Sequence, residues 1–197
     1  MSSPLTQLGT VKARLGILDT DTSNDALLTA AIDAVSARFD RECGRTLARA
    51  ENAVYEFEPG QAEICPPGYP IESVARFERK TSESEGWQEI EPSPEYLVRK
   101  GCVISLLSGL GPGRGVLRVQ YTGGYVLPGA SVGAGQTPLP ADLERAAVEQ
   151  VAYWYQNRDR VGAIRYWPKG GIYEEFADLD LLPSVRAVLF QYRRWDW

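Results

Sequence analysis

The chain has 197 residues, of which 44% are hydrophobic and 24% are charged, a composition typical of a globular protein. It contains no histidine, which removes the commonest general base and disfavours Ser-His and Cys-His nucleophile pairs and most catalytic zinc sites. Acidic side chains outnumber basic ones by 26 to 21, so the net charge is −5, and no segment is basic enough to indicate binding to a nucleic-acid backbone.

The hydrophobic pattern predicts one helix over residues 5–18 and a longer one over residues 22–43. Gly16 is suited to end the first helix, because glycine readily adopts the left-handed conformation of a helix C-terminus. Thr22 and Asp25 have the spacing of a capping box at the start of the second helix. Their apolar faces, which we expect to pack in the core, consist of Leu8, Val11, Leu15, Leu28, Ala31, Ile32, Val35 and Phe39.

From about residue 51 the period of the apolar side chains changes from 3.6 to 2, which indicates strands. Proline- and glycine-rich breaks separate the alternating segments, which are residues 54–58, 75–78, 102–107 and 117–121. The glycine-rich stretch 109–115 superficially resembles a phosphate loop, but it leads into a strand and lacks Lys-Ser/Thr, so we predict a hairpin turn. Residues 51–125 are therefore predicted to form an antiparallel β-rich subdomain, and they carry eleven glutamates against seven basic residues.

A loop rich in small residues, 127–139, precedes the clearest helix of the chain, residues 140–158. Pro140 suits the first helical position, and Arg158 would complement the helix dipole in the last turn. A final helix is predicted from Pro183. The apolar face of the helix over 140–158 is formed by Leu143, Ala146, Ala147, Val151, Trp154 and Tyr155.

Together these elements predict an α+β fold with a helical core of about four helices. Residues 1–50 and 126–197 would form that core, with the β-rich subdomain of residues 51–125 inserted between them. Three cysteines, an odd number at wide spacing, are expected to be buried reduced thiols: Cys43, Cys65 and Cys102. No signal-peptide pattern or apolar run of membrane-spanning length is present, so we expect a protein that is cytoplasmic where it is made and does not enter a membrane.

Acidic side chains cluster at Glu174, Glu175, Asp178 and Asp180, where they could in principle perform acid–base chemistry. Charge runs of this kind usually lie in solvated loops, and we predict such a loop here. No ligand spacing for a metal or cofactor is present, so the sequence predicts no catalytic, cofactor-binding or metal-binding residues. Two alternative functions come from other functional classes. One is an enzyme that uses carboxylates, and the other is a ligand-binding β-sandwich module.

The C-terminal end carries large apolar side chains next to two positive charges. Trp195 and Trp197 follow Arg193 and Arg194, and tryptophan and arginine are the residue types enriched at binding hot spots. The tryptophans could instead fold back onto the helices. A chain terminus is mobile unless a contact holds it, so we expect this end to be ordered by a partner.

The order of several short motifs along nearly the whole chain resembles the head–tail connector, or adaptor, family of long-tailed bacteriophages. No single motif is specific, and the resemblance depends on their order. These motifs are Val11–Ile17, Asp21-Thr22, Asp25–Leu28, Cys43–Leu47, Tyr69–Val74, Tyr121–Tyr125, Leu139–Leu143, Tyr155–Arg158, Leu182-Pro183 and Tyr192-Arg193.

This resemblance implies a structural virion protein of the head–tail interface that forms a twelve-fold ring under the portal protein. Neck, stopper or tail proteins would bind below the ring, and DNA would pass through its channel without specific binding. The resemblance also implies that the C-terminal segment docks on the portal, which designates Tyr192, Arg193, Arg194, Trp195 and Trp197 as candidate partner-binding residues. A stopper or tail-completion protein of the same neck is the nearest alternative.

Overall fold

The computed structural model of the chain describes residues 3–108, 110, 115–160, 165–166, 174–175 and 180–194. Within this part, the helices are α1 (Leu8–Leu15), α2 (Asp25–Cys43), α3 (Ala141–Gln156) and α4 (Pro183–Gln191). The strands are β1 (Ala50–Phe57), β2 (Glu63–Ile64), β3 (Ile71–Lys80), β4 (Trp87–Glu89), β5 (Tyr96–Arg99), β6 (Val103–Leu106), β7 (Val116–Gly123), β8 (Tyr125–Val126), β9 (Thr137–Pro138), β10 (Arg165–Tyr166) and β11 (Glu174–Glu175). The predicted α+β class is confirmed.

The contacts between residues divide the chain into two units. A helical unit comprises Met1–Cys43 and Leu139–Arg193, and a β unit comprises Gly44–Pro138 and Arg194–Trp197. The chain therefore passes between the two units three times, the last time just after α4.

In the helical unit, α3 packs against α1, α2 and α4. The predicted stripes point into this core because residues three and four apart lie on one face of a helix. The core side chains of the helices that are at most 3% exposed are Val11, Leu28, Ile32, Val35, Phe39, Cys43, Leu143, Ala146, Ala147, Val151, Ala152, Val185 and Leu189. Leu5 joins them, and its backbone N–H donates to Ser36 Oγ over 3.0 Å. The remaining members of the predicted faces are only partly buried: Leu8, Leu15, Ala31, Trp154 and Tyr155.

The start of α2 differs from the predicted capping box. The helix begins at Asp25, whose carboxylate lies 2.6 Å from Lys12 Nζ instead of serving a cap with Thr22. Lys12 is only 3% exposed, so its ammonium group requires a carboxylate partner, and that partner is Asp25. The ion pair thus joins α1 to the first turn of α2.

Both predicted ends of α3 shift by one or two residues. Pro140 is the N-cap, not the first helical residue: its backbone is extended, and its carbonyl accepts from the N–H groups of Leu143 and Glu144. Arg158 lies beyond the last helical residue in a short 3-10 turn, yet its guanidinium donates to the Tyr155 carbonyl over 2.7 Å. It therefore still satisfies a carbonyl group at the helix C-terminus, as a basic residue there should.

The β unit contains a four-stranded antiparallel sheet in the order β1-β7-β3-β4 and a three-stranded sheet in the order β2-β6-β5. Both sheets contribute to one core, because every second residue of a strand points to the same face. That core is formed by Phe57, Ile64, Ile71, Phe77, Ile104, Leu106, Leu117, Val119 and Tyr121. Of the aromatic residues in these strands, Phe57, Phe77 and Tyr121 are buried in this core, and Tyr55, Trp87 and Tyr96 are half-buried.

Gly124 allows two segments of the β unit to approach closely. Its φ is +105°, and a Cβ atom at this position would lie 2.5 Å from the Ala48 carbonyl oxygen. The next residue, Tyr125, exchanges backbone hydrogen bonds with Leu47 and Arg49. Only glycine combines this backbone conformation with this distance.

Two further expectations need correction, and a third lies largely outside the described residues. Cys43 is buried, but Cys65 and Cys102 are only partly buried, because both lie at strand ends, and all three are free thiols. The predicted loop 127–139 ends in a short strand, β9, parallel to β8. The hairpin turn predicted for residues 109–115 falls largely outside the described residues. In the part of the chain that the structure describes, no helix combines the length and the apolar character needed to span a membrane.

Candidate partner-docking segment at the C-terminus

Helix α4 is held at its start by a buried glutamine of α3. Pro183 occupies the first turn, where its missing N–H needs no acceptor. Gln150 is 0% exposed; its side-chain oxygen accepts from the Leu182 N–H over 2.9 Å, and its amide donates to the Asp180 carbonyl over 3.2 Å. Because both the oxygen and the nitrogen of this side-chain amide have hydrogen-bond partners, Gln150 anchors the residues just before α4 to α3.

The two faces of α4 differ in character. Val185 and Leu189 are buried in the helical unit, whereas Arg186 and Phe190 are exposed, and Phe190 retains 57% of its surface. Residues four apart lie on the same side of a helix, so Arg186 and Phe190 form one outward strip. This strip leads directly to the predicted docking residues.

Tyr192 and Arg193 are bound to the helical unit. The Tyr192 hydroxyl donates to the two carboxylate oxygens of Asp142, at 2.8 and 2.9 Å. Arg193 Nε donates to the Glu42 carbonyl over 3.0 Å, and the guanidinium lies 3.9 Å from the Glu42 carboxylate. The segment after α4 is therefore tied to the first turn of α3 and to the last turn of α2.

Arg194 is bound to the β unit instead. Its guanidinium donates to the Cys65 carbonyl over 2.7 Å and to the Tyr55 hydroxyl over 3.2 Å, and it lies 5.6 Å from the centre of the Tyr55 ring. Burial raises the pKa of the Cys65 thiol, Cys102 adds to this effect, and the Arg194 charge opposes it. Arg194 is thus a partly buried anchor within the β unit.

Of the five candidate docking residues, the structure therefore places three. Two of them, Tyr192 and Arg193, lie together against the helical unit, and Arg194 contacts the β unit. Trp195 and Trp197 lie outside the described residues. Each of these three side chains has hydrogen-bond partners in the chain itself, and the docking of this end on a partner stays a prediction.

Sequence reasoning missed a network of ion pairs beside this segment. Arg38 lies 2.8 Å from the Glu42 carboxylate and 3.5 Å from that of Asp180, and Arg186 pairs with the other oxygen of Asp180. Asp180 was expected in a solvated acidic loop. The four-residue spacing of Arg38 and Glu42 was a readable signal, but the pairing across 142 residues to Asp180 was not.

The residues of the acidic cluster belong to different elements where the structure describes them. Glu174 and Glu175 form strand β11, which pairs with β10, whereas Asp180 belongs to the ion-pair network and Asp178 lies outside the described part. Hydrogen bonds from Ser23 lower the pKa of Asp21, and a hydrogen bond from Arg118 lowers that of Glu78. A catalytic acid would need the opposite shift. No group of three or more potential metal ligands occurs in the described ranges.

A family model described as "Head completion protein" matches residues 5–195, nearly the whole chain. A chain from a structure titled "Neck of empty GTA particle computed with C6 symmetry" shares 15% sequence identity over 96% of this chain and 90% of its own length, with a TM-score of 0.60. A chain from the "Virion of native gene transfer agent (GTA) particle" shares 16% identity over the same fractions, with a TM-score of 0.56.

At these identities the two solved structures show similarity of fold. No curated protein sequence matches the chain significantly. The family match covers both units and the segment that follows α4, and it confirms the prediction of a structural virion protein of the head–tail connector type. The chain belongs to the head completion protein family.

Proposed function

We propose that this protein is an adaptor that forms a ring beneath the portal of a filled head, extends the DNA channel and offers a docking site to neck or tail proteins. The observation that carries the proposal is the family match over residues 5–195. The similarity in fold to a chain from the neck of a gene transfer agent particle supports the same place in the virion. That neck was computed with six-fold symmetry, which is compatible with a ring of six or twelve copies.

The segment from Tyr192 to Trp197 docks on the portal. Tyr192, Arg193 and Arg194 support this role, because hydrogen bonds within the chain hold their side chains. Side chains that are already held lose little conformational entropy when a partner binds, which favours tight binding. Trp195 and Trp197 supply the apolar area, and this pairing of tryptophan with arginine is typical of hot spots.

The protein acts without catalysis, cofactor or metal. Membership in a structural family supports this, as does the direction of the Asp21 and Glu78 pKa shifts. The net charge of −5 suits a channel through which DNA must pass without adhering, because like charges repel.

The test uses the portal protein of the same virion and a variant in which Trp195 and Trp197 are both replaced by alanine. We expect binding to the portal to weaken by about 30-fold or more for each tryptophan, since hot-spot side chains contribute about 2 kcal/mol or more. Leu18→Ala, which removes a large apolar side chain that is 74% exposed in the helical unit, is the matched control and should bind normally. Unchanged affinity of the double variant would place the docking face elsewhere.

The same assay separates the adaptor from a stopper. An adaptor binds portal-bearing heads directly, whereas a stopper binds only after another ring is present. Binding that requires prior addition of a different neck protein would therefore refute the adaptor role and support the stopper.

A further inference from the structure

The helical unit presents a cationic groove between α2 and α4. Its volume is about 330 Å³, and its lining consists of Arg38, Glu42, Arg186, Leu189, Phe190 and Arg193. Three of these six residues are arginines. Glu42 and the neighbouring Asp180 supply two carboxylates, so the ion-pair network that surrounds the groove carries one excess positive charge.

The groove arginines keep the capacity to bind further carboxylates. The side chains of Arg186 and Arg193 are 56% and 53% exposed. A guanidinium has five N–H donors in a planar fork that fits a carboxylate, and its existing partners use only some of them. Phe190, on the same strip as Arg186, adds apolar surface to the lining of the groove.

The β unit carries a surface of opposite charge. Residues 83–95 contain five glutamates and no lysine or arginine. All five glutamates are exposed, and the segment runs from the β3–β4 turn through β4 to the start of β5. Among the ion pairs recorded for the described residues, one involves this segment, between Glu83 and Lys80 at 2.6 Å. The glutamates are Glu83, Glu85, Glu89, Glu91 and Glu95.

We propose that the cationic groove of one subunit binds the acidic segment 83–95 of a neighbouring copy, so that this contact repeats around a ring. A head-to-tail contact between copies requires two different surfaces that complement each other, and the chain carries such a pair on its two units. This inference rests on the proposed ring, because only a repeating assembly uses both surfaces of every copy.

Charge complementarity favours a second copy of the chain, and not DNA, as the molecule that binds in the cationic groove. The groove arginines already bind carboxylates of the chain itself, at 2.8 and 3.5 Å for Arg38, so their geometry suits carboxylate groups. DNA would also have to approach a protein with a net charge of −5. The contact should weaken as ionic strength rises, because exposed charges are screened by salt.

The test is a charge swap. One variant carries Arg186→Glu in the groove, and the other carries Glu89→Lys with Glu91→Lys in the acidic segment. Self-association of each protein, and of an equimolar mixture, is measured at low salt by sedimentation velocity and native mass spectrometry. Arg145→Glu on α3 and Glu58→Lys in the β unit are matched controls at exposed positions, and melting temperatures verify that every variant is folded.

We expect each swapped variant alone to associate about tenfold or more weakly than the original chain, since charge pairs across interfaces contribute at least about 1.5 kcal/mol. The mixture should regain association, because the lysines of one variant then face the glutamate of the other, and the remaining groove faces the remaining acidic segment. The controls should associate like the original chain.

Three results would overturn the inference: unchanged association of the swapped variants, a mixture no stronger than its components, or no self-association of the original chain up to about 1 mM. Loss of duplex DNA binding by Arg186→Glu, with self-association intact, would assign the groove to DNA. If rings of the swapped variants still form on the portal, the inference fails and the adaptor stands. If the original chain never binds the portal, the adaptor proposal fails whatever the swap shows.

Discussion

Replacing Val151 by aspartate tests whether the helices of the helical unit share one core. Val151 lies in the middle of α3 and is 0% exposed, and α3 packs against each of the other three helices. The residues one and two turns before Val151 on that stripe, Ala147 and Leu143, are buried and apolar. The substitution therefore places an ionisable group in an apolar environment.

The expected cost has two parts. Losing the burial of the valine side chain costs about 1.5–3 kcal/mol. The carboxyl group becomes protonated instead of remaining charged, and at neutral pH this costs about 1.4 kcal/mol for each unit by which burial raises its pKa, a shift that reaches about 3–5 units for fully buried groups. The total is about 5 kcal/mol or more, which is comparable to the whole free energy of unfolding of a small domain.

Urea unfolding followed by circular dichroism at 25 °C measures this loss. Val132→Asp is the matched control, because Val132 is 49% exposed, and it should change stability by about 0.5 kcal/mol or less. Since the pKa of the new carboxyl group is raised by folding, the deficit of Val151→Asp relative to the original chain should shrink as pH falls from 7 to 5.

If Val151→Asp does not fold at all, Val151→Ala provides the measurement, with an expected loss of about 1–3 kcal/mol. A Val151→Asp protein that is as stable as the original chain would refute the packing of α3 described here.

Three further substitutions test contacts that lie within the helical unit or within the β unit. Glu78→Gln should destabilise the four-stranded sheet by about 1–3 kcal/mol at pH 7. Because the pKa of Glu78 is lowered in the folded state, its contribution should start to decline below the ordinary glutamate pKa of about 4.3 and be lost below the lowered pKa, so the variant and the original chain should converge in acid urea titrations. Lys12→Met should cost about 1–3 kcal/mol in the same assay by leaving the Asp25 carboxylate without its ammonium partner, and equal stability would show that the ion pair is dispensable. Gly124→Ala should lower the melting temperature by several degrees, because its Cβ atom would collide with the Ala48 carbonyl oxygen, and an unchanged melting temperature would contradict that close approach.

The helices could be predicted because their signal is local. Residues such as Leu28, Val35 and Phe39 repeat at helical spacing, and burial of that face follows directly. The strands were recognisable from alternation, but their order, β1-β7-β3-β4, was not, since alternation states which face is buried and not which strand is the neighbour.

The sequence predicted which residues belong to the candidate docking segment, but it did not predict which groups those residues contact. The sequence drew attention to Arg193 and Arg194, yet their acceptors, the Glu42 and Cys65 carbonyl groups, are 151 and 129 residues away along the chain. Gln150 was overlooked for the same reason, because a polar residue next to an apolar stripe gives no local sign that it holds the start of α4. Contacts of this length depend on tertiary placement, which no local pattern encodes.

The mass of the complex formed with the portal protein of the same virion tests the adaptor proposal most directly. The protein is mixed with preformed portal rings, and the complex is weighed by native mass spectrometry. The account predicts one bound ring whose copy number matches the symmetry of the portal, and it predicts loss of that complex when Trp195 and Trp197 are replaced by alanine. Portal rings that keep their own mass in the presence of excess protein would contradict it.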